Sequence, residues 1–212
     1  MIEDALRMIE RHRLVAVIRT ETGQQAVDAG LAAHAGGLRL LEVTWTVPGA
    51  AGALAALRER LGEALVGAGT IITVQQAEEA AAASAQFIVG PSVQEDVIAF
   101  CKRKGLLVAP GALTPTEVVR AHGLGAEIVK VFPAAQVGGP AYIKALRGPL
   151  PHLRLMPTGG VNPGNIPAYL QAGAFALGAG GDLVDRQAAA EGRFEAITEK
   201  ARLFAAAVAA GR

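Results

Sequence analysis

Eight short apolar runs, rich in Val, Ile and Leu, punctuate the chain at 14–18, 38–43, 64–68, 86–89, 106–109, 127–132, 153–156 and 175–178. They are too short for ordinary helices. Their near-continuous apolarity suits parallel strands covered on both faces. Their centres lie roughly 20–26 residues apart, the length of a short βα unit. Between them, residues 26–35, 50–61, 74–83, 93–104, 115–122, 139–146, 165–172 and a tail of about 192–210 read as helices, and 2–13 reads as a helix before the first strand. Thr73, Ser92 and Thr114 are start signals, and Gly36-Gly37, Gly62, Gly105, Gly123 and Gly173 are stops.

Eight strand–helix units in 212 residues predict an α/β fold: one (β/α)8 TIM barrel over residues 1–212 with an N-terminal helix. The alternative is an open, doubly wound sheet. Hydrophobic residues make up 51% of the chain and aromatics only 4%, so aliphatic side chains and alanine must fill the core. No linker-like stretch marks a second domain.

Charge excludes some function classes. A formal net charge of +1 gives no global reason to expect nucleic acid or an anionic membrane as partner. The Lys102-Arg103-Lys104 cluster reads as the polar end of a helix. Residues 1–13 mix both charge signs and lack a leader-peptide pattern, and no apolar run approaches about 18 residues. The expected location is the cytoplasm. Cys101 has no partner for an intrachain disulfide and reads as a buried, inert thiol.

A barrel of this kind works at the C-terminal ends of its strands. Side chains alternate across a strand. If Val129 and Val131 face the helices, Lys130 points inward with Ile128 and Phe132. An ammonium there loses hydration, its pKa falls, and the free amine can attack a ketone to form an imine. By the same alternation Leu40, Glu42 and Thr44 face in. The second and sixth strands lie opposite each other in an eight-strand ring, so Glu42 can shuttle protons for an imine on Lys130. The structural alternative is a buried Glu–Lys ion pair.

Glycine-rich turns follow the seventh and eighth strands, Pro157-Thr158-Gly159-Gly160 and Gly178-Ala179-Gly180-Gly181-Asp182. Glycine lets backbone N–H groups approach an anion, and these two strand ends bind phosphate in many barrels. Asp182 reads as a helix N-cap. Thr70, after the third strand, either donates to a substrate carboxylate or starts a helix. Arg19, at the end of the first strand, is either an anion fork or a surface arginine. The four histidines share no ligand spacing, so no transition-metal site is expected.

The combination Leu-Glu42-Val-Thr, Gly-Ala-Gly-Thr70, Gly90-Pro91, Val-Lys130-Val-Phe-Pro-Ala and Pro-Thr-Gly159-Gly160 resembles the 2-dehydro-3-deoxy-phosphogluconate (KDPG) aldolase / 4-hydroxy-2-oxoglutarate (KHG) aldolase family, in order across nearly the whole chain. The resemblance implies a class I aldolase that uses no metal or other cofactor and assembles as a homotrimer. Its substrate is a 2-keto acid, cleaved to pyruvate and glyceraldehyde 3-phosphate or to pyruvate and glyoxylate. It implies Lys130 as the Schiff-base lysine and Glu42 as the proton carrier. Thr70, Pro91 and Phe132 fall on the pyruvate side, and Gly159, Gly160, Gly180 and Gly181 at the phosphate end. Two positions depart from the pattern. Thr46 stands where some members place a carboxylate-binding arginine, and Gly181 where some have serine. Arg19 is the expected substitute for the missing charge. A galactonate-derived epimer as substrate, or a barrel isomerase using Glu42 as base, are the competing readings.

Overall fold

The computed structural model describes residues 2–211. Helix α1 (Ile2–His12) precedes strand β1 (Leu14–Ile18), followed by α2 (Gly23–Ala35), β2 (Leu40–Thr44), α3 (Ala50–Arg60), β3 (Leu65–Gly69), α4 (Val74–Ala82) and β4 (Phe87–Val89). Then come α5 (Glu95–Lys104), β5 (Leu107–Ala109), β6 (Gly111–Ala112), α6 (Pro115–Gly123) and β7 (Val129–Val131). The chain continues through α7 (Pro140–Arg147), β8 (Leu155–Pro157), α8 (Ile166–Gln171), β9 (Leu177–Ala179), α9 (Arg186–Ala190) and α10 (Phe194–Ala210).

Every strand pairing among the described residues is parallel, as continuous apolar strands between helices require. A curled six-stranded sheet runs β5-β4-β3-β2-β1-β9, and a three-stranded sheet runs β6-β7-β8. One continuous eight-strand ladder was expected, and the pairing is instead split in two. Pro110 lies between β5 and β6. It has no N–H to donate, and this interrupts one strand run. Its carbonyl still accepts from Lys130 N at 2.9 Å. At the other junction β8 and β9 meet through a single bridge, Thr158 to Gly178, and Phe175 N donates to Leu155 O at 2.9 Å.

Alternation divides the apolar residues into two clusters. Leu14, Ala16, Ile18, Leu41, Val43, Val129 and Val131 pack outward against the helices. Val15, Leu40, Leu65, Phe87, Leu107, Ile128, Met156 and Ala176 pack inward on one another, and Ala5 and Ile9 of α1 cover them from the N-terminal end of the strands.

The threonine start signals hold. Thr73 accepts from Gln76 N, and Thr114 forms a capping box with Glu117. Thr22 and Gln25 form another, so α2 begins earlier than its apolar pattern suggested. Three readings are corrected. Helix α5 starts after Gln94 rather than Ser92. Asp182 is not an N-cap: Asp185 is, and it accepts from Ala188 N at 3.0 Å. A separate helix, α9, precedes the long tail helix, and Gly192, with φ at 71°, lies in the turn between them. No helix is long and apolar enough to cross a membrane. Cys101 is buried, and desolvation pushes its thiol up to about 12.

Candidate active site

Lys130 sits on β7 between two outward-facing valines, so its amine projects into the strand interior. Only 6% of the residue is exposed. Desolvation lowers its pKa below the ordinary lysine value; the Glu42 carboxylate opposes this shift and the Arg19 guanidinium adds to it. Phe132 lies over the amine, with Nζ 4.9 Å from the ring centroid. Phe132 itself is partly exposed at the rim.

Glu42 is 1% exposed on β2. Burial raises its pKa, against the pull of Lys130 and then Arg19. Among the described residues its Oε1 has no hydrogen-bond partner, and no ion pair joins it to Lys130. Two ionisable groups therefore face one interior and are both driven toward their neutral forms. The buried Glu–Lys ion pair that was the structural alternative is not formed at contact distance.

The room for them comes from glycine. Gly67, Gly69, Gly111 and Gly178 occupy strand positions where a β-carbon would strike the Phe87 ring, the Glu42 carboxylate, the Pro91 carbonyl and the Thr158 hydroxyl, respectively. The sequence reading quoted Gly67 and Gly69 only as the end of the third strand and Gly178 only within a glycine-rich turn, and it passed over Gly111. Their signal was their place in the alternation, one strand step from the outward-facing apolar residues. It also missed Thr158, a buried residue beneath the Gly159-Gly160 turn.

Strand register brings the polar rim together. Val17 is opposite Glu42 and Ile18 opposite Val43, so Arg19 follows at the level of Thr44 on the inward side. Thr44 Oγ1 donates to Ile18 O at 3.0 Å and shares a 3.0 Å hydrogen bond with Thr46 Oγ1. Arg19 Nη2 donates to Thr70 Oγ1 at 3.4 Å. Thr70 holds φ at 61°, an unusual backbone for a β-branched residue. The next residue ties it down through Ile71 N to Val89 O at 3.1 Å. Pro91, half-buried, lies against Gly111 beside the Lys130 strand.

The two glycine turns differ in construction. Gly159 and Gly160 have φ of 94° and 75°, where L side chains are strained. Asn165 Nδ2 donates to Gly160 O at 2.8 Å, and Asn162 N donates to Asn165 Oδ1 at 2.9 Å. The Asn-Pro-Gly-Asn stretch at 162–165 is turn chemistry that the sequence reading passed over. Gly180 and Gly181 face open space. Among the described residues, the N–H groups of Gly160, Gly180 and Gly181 take no part in the backbone hydrogen bonding. Also among the described residues, no three His, Cys, Asp or Glu side chains converge on a metal position.

Comparison with known proteins gives this arrangement a context. The family model described as KDPG and KHG aldolase matches residues 3–200. The chain belongs to the KDPG and KHG aldolase family. Within this family it is similar to the 2-dehydro-3-deoxy-phosphogluconate aldolase of Treponema pallidum (strain Nichols), at 40% identity over 90% of each chain. It is also similar to the KHG/KDPG aldolase of Escherichia coli (strain K12), at 34% identity over 89% of each. Among solved structures it resembles the KDPG aldolase of Legionella pneumophila, captured with pyruvate as a covalent carbinolamine intermediate. The TM-score there is 0.85, at 30% identity, covering 93% of this chain and 96% of that one. In this aldolase-family chain the predicted Glu42 and Lys130 are the central residues of β2 and β7, and Arg19, Thr46, Thr70, Pro91 and Phe132 lie just beyond the C-terminal ends of β1, β2, β3, β4 and β7. The turns holding Gly159, Gly160, Gly180 and Gly181 follow β8 and β9 at the same end.

Proposed function

We propose that this chain is a class I aldolase that cleaves 2-dehydro-3-deoxy-6-phosphogluconate to pyruvate and glyceraldehyde 3-phosphate, with 4-hydroxy-2-oxoglutarate as a second substrate. The observation that carries this reading is a buried lysine of lowered pKa facing the same interior as a buried glutamate of raised pKa. In this reading the two parallel sheets, abutting at Pro110 and at the Thr158–Gly178 bridge, act as one closed (β/α)8 barrel and the chain is one catalytic domain.

The neutral Lys130 amine adds to the C2 ketone, and proton transfer gives a carbinolamine. Protonated Glu42 donates to the departing hydroxyl, which leaves as water and forms the iminium. The Glu42 carboxylate then takes the proton of the C4 hydroxyl. The C3–C4 bond breaks, its electron pair flows into the iminium, the aldehyde leaves and an enamine remains. Glu42 returns the proton to C3, and water hydrolyses the imine to pyruvate and free Lys130.

Arg19 holds the substrate carboxylate, with the Thr70 and Thr46 hydroxyls beside it, in place of the arginine absent at Thr46. Pro91 and Phe132 form the apolar walls around the imine. The N–H groups of Gly159, Gly160, Gly180 and Gly181 receive the phosphate. A homotrimer in the cytoplasm is the setting that the family resemblance implies, and analytical ultracentrifugation tests the assembly.

Borohydride reduction in the presence of pyruvate is the direct test of the mechanism. A stable mass increase on Lys130 is expected, and its absence under turnover conditions overturns the imine. Comparing steady-state cleavage of KDPG, its galactonate-derived epimer and 4-hydroxy-2-oxoglutarate ranks the substrates, with KDPG expected first.

A further inference from the structure

Gly69 closes β3 opposite Thr44. A β-carbon on it would stand 1.8 Å from Glu42 Oε1, 2.4 Å from Cδ and 2.6 Å from Cγ. Real β-carbon contacts essentially never fall below 3.0 Å. The backbone angle is not the reason for glycine here, because Gly69 is outside the left-handed region that Gly159 and Gly160 occupy. Nor can the main chain easily yield, since Gly69 O accepts from Trp45 N at 2.7 Å in a strand paired with β2 along its whole length. The group that must move is the Glu42 side chain.

Glu42 Oε1 has no hydrogen-bond donor among the described residues. Hydrogen bonding therefore does not aim this oxygen, and shape does. We propose that Gly69 is a positioning residue for proton transfer: its missing side chain is the socket that holds the Glu42 carboxylate against β3. The proposal rests on Glu42 as the proton carrier. A methyl group in the socket displaces the flexible end of one side chain, at small cost in stability and large cost in proton transfer.

The test uses Gly69→Ala, Glu42→Asp, the double variant and Glu42→Gln. Gly36→Ala reports ordinary packing damage, because its β-carbon would meet Ala201 Cβ at 2.4 Å, remote from Glu42. Gly69→Ala is expected to reach the same final extent of borohydride-trapped pyruvate imine as the parent, but more slowly, because Glu42 also assists loss of water from the carbinolamine. Its exchange of pyruvate methyl protons in D2O, followed by NMR, should fall at least ~100-fold, with a Tm loss no larger than that of Gly36→Ala. Glu42→Asp/Gly69→Ala moves one methylene from position 42 to position 69, which conserves volume. It should exchange at least ~10-fold faster than Gly69→Ala alone, a coupling that separate defects do not produce. Exchange in Gly69→Ala within about threefold of the parent, or losses that simply multiply in the double variant, would overturn the proposal. If Gly69→Ala does not fold, the double variant is compared with Glu42→Asp: equal or faster exchange supports the socket, and a further ~10-fold drop overturns it. Full exchange in Glu42→Gln overturns the assignment of the proton to Glu42 and the socket with it. Loss in Glu42→Gln beside normal Gly69→Ala overturns the socket alone.

Discussion

The lower and upper halves of the strand interior follow one alternation and differ in what they place on it. Below, Val15, Leu40, Leu65, Phe87, Leu107 and Ile128 fill the inward positions, and the helices cover the other face. Above, the same strands present Arg19, Glu42, Gly69 and Lys130. The lower layer contributes stability through buried apolar area. The upper layer loses the hydration of two ionisable groups and gives up side-chain packing at its glycines. One fold period thus supports two uses, and residue type alone decides which half carries the chemistry.

Four substitutions probe that division, beginning with the largest effect. Lys130→Met should cut turnover by at least ~10⁴-fold, since no other group supplies the amine. It should unfold no earlier than the parent, because a desolvated amine is replaced by an apolar chain of similar length. Steady-state kinetics beside a thermal melt reads both. A variant that unfolds much earlier would mean that the upper layer is structural after all.

Leu40→Ala tests the lower half in reverse. Truncating a fully buried leucine there should cost about 2–5 kcal/mol in a denaturant titration. The folded fraction should keep the parent's pH–rate profile. A changed profile would show that the halves are coupled.

Arg19→Ala should raise the KM for the 2-keto acid by about 10–100-fold, the effect of losing a charged hydrogen-bond donor. Unchanged pyruvate affinity would remove Arg19 from the carboxylate grip.

The smallest effects lie in pH dependence. Glu42 has its pKa raised in the fold, so its contribution to stability is complete below its ordinary 4.5 and is lost as pH rises through the folded value. The stability of Glu42→Gln relative to the parent should therefore increase as pH rises above 4.5. Lys130 is shifted the other way, so its contribution is complete above 10.5 and is lost as pH falls through the folded value. The relative stability of Lys130→Met should increase as pH falls from 10.5. Melts across that range check both slopes, and parallel curves would mean that neither group is desolvated.

Much of this division was legible in the sequence. Parallel strands buried on both faces give unbroken apolar runs, and each of the eight runs overlaps a strand. Alternation within the Lys130 and Glu42 runs was enough to point both side chains inward. Strand ends were less legible. The run at 175–178 begins before its strand, because Phe175 and Ala176 lead into β9 from outside the ladder. Asp182 and Asp185 are the same residue type three positions apart, and only the local backbone decides which one caps. The space-keeping role of the inward glycines was not legible because glycine is normally read as a turn signal. At Gly67, Gly69 and Gly111 it marks a volume that must stay open, and that requirement arises from residues far away in sequence.

Helix α1 carries one further consequence. Ala5 and Ile9 lie across the lower end of the strand interior, so Lys130 is reached from the rim alone. Entry and departure then share one doorway, and traffic through it must be sequential. On the proposed mechanism pyruvate is tethered to Lys130 at the inner end, so the aldehyde fragment leaves first and pyruvate last. Pyruvate should accordingly behave as a competitive product inhibitor and the aldehyde as a noncompetitive one.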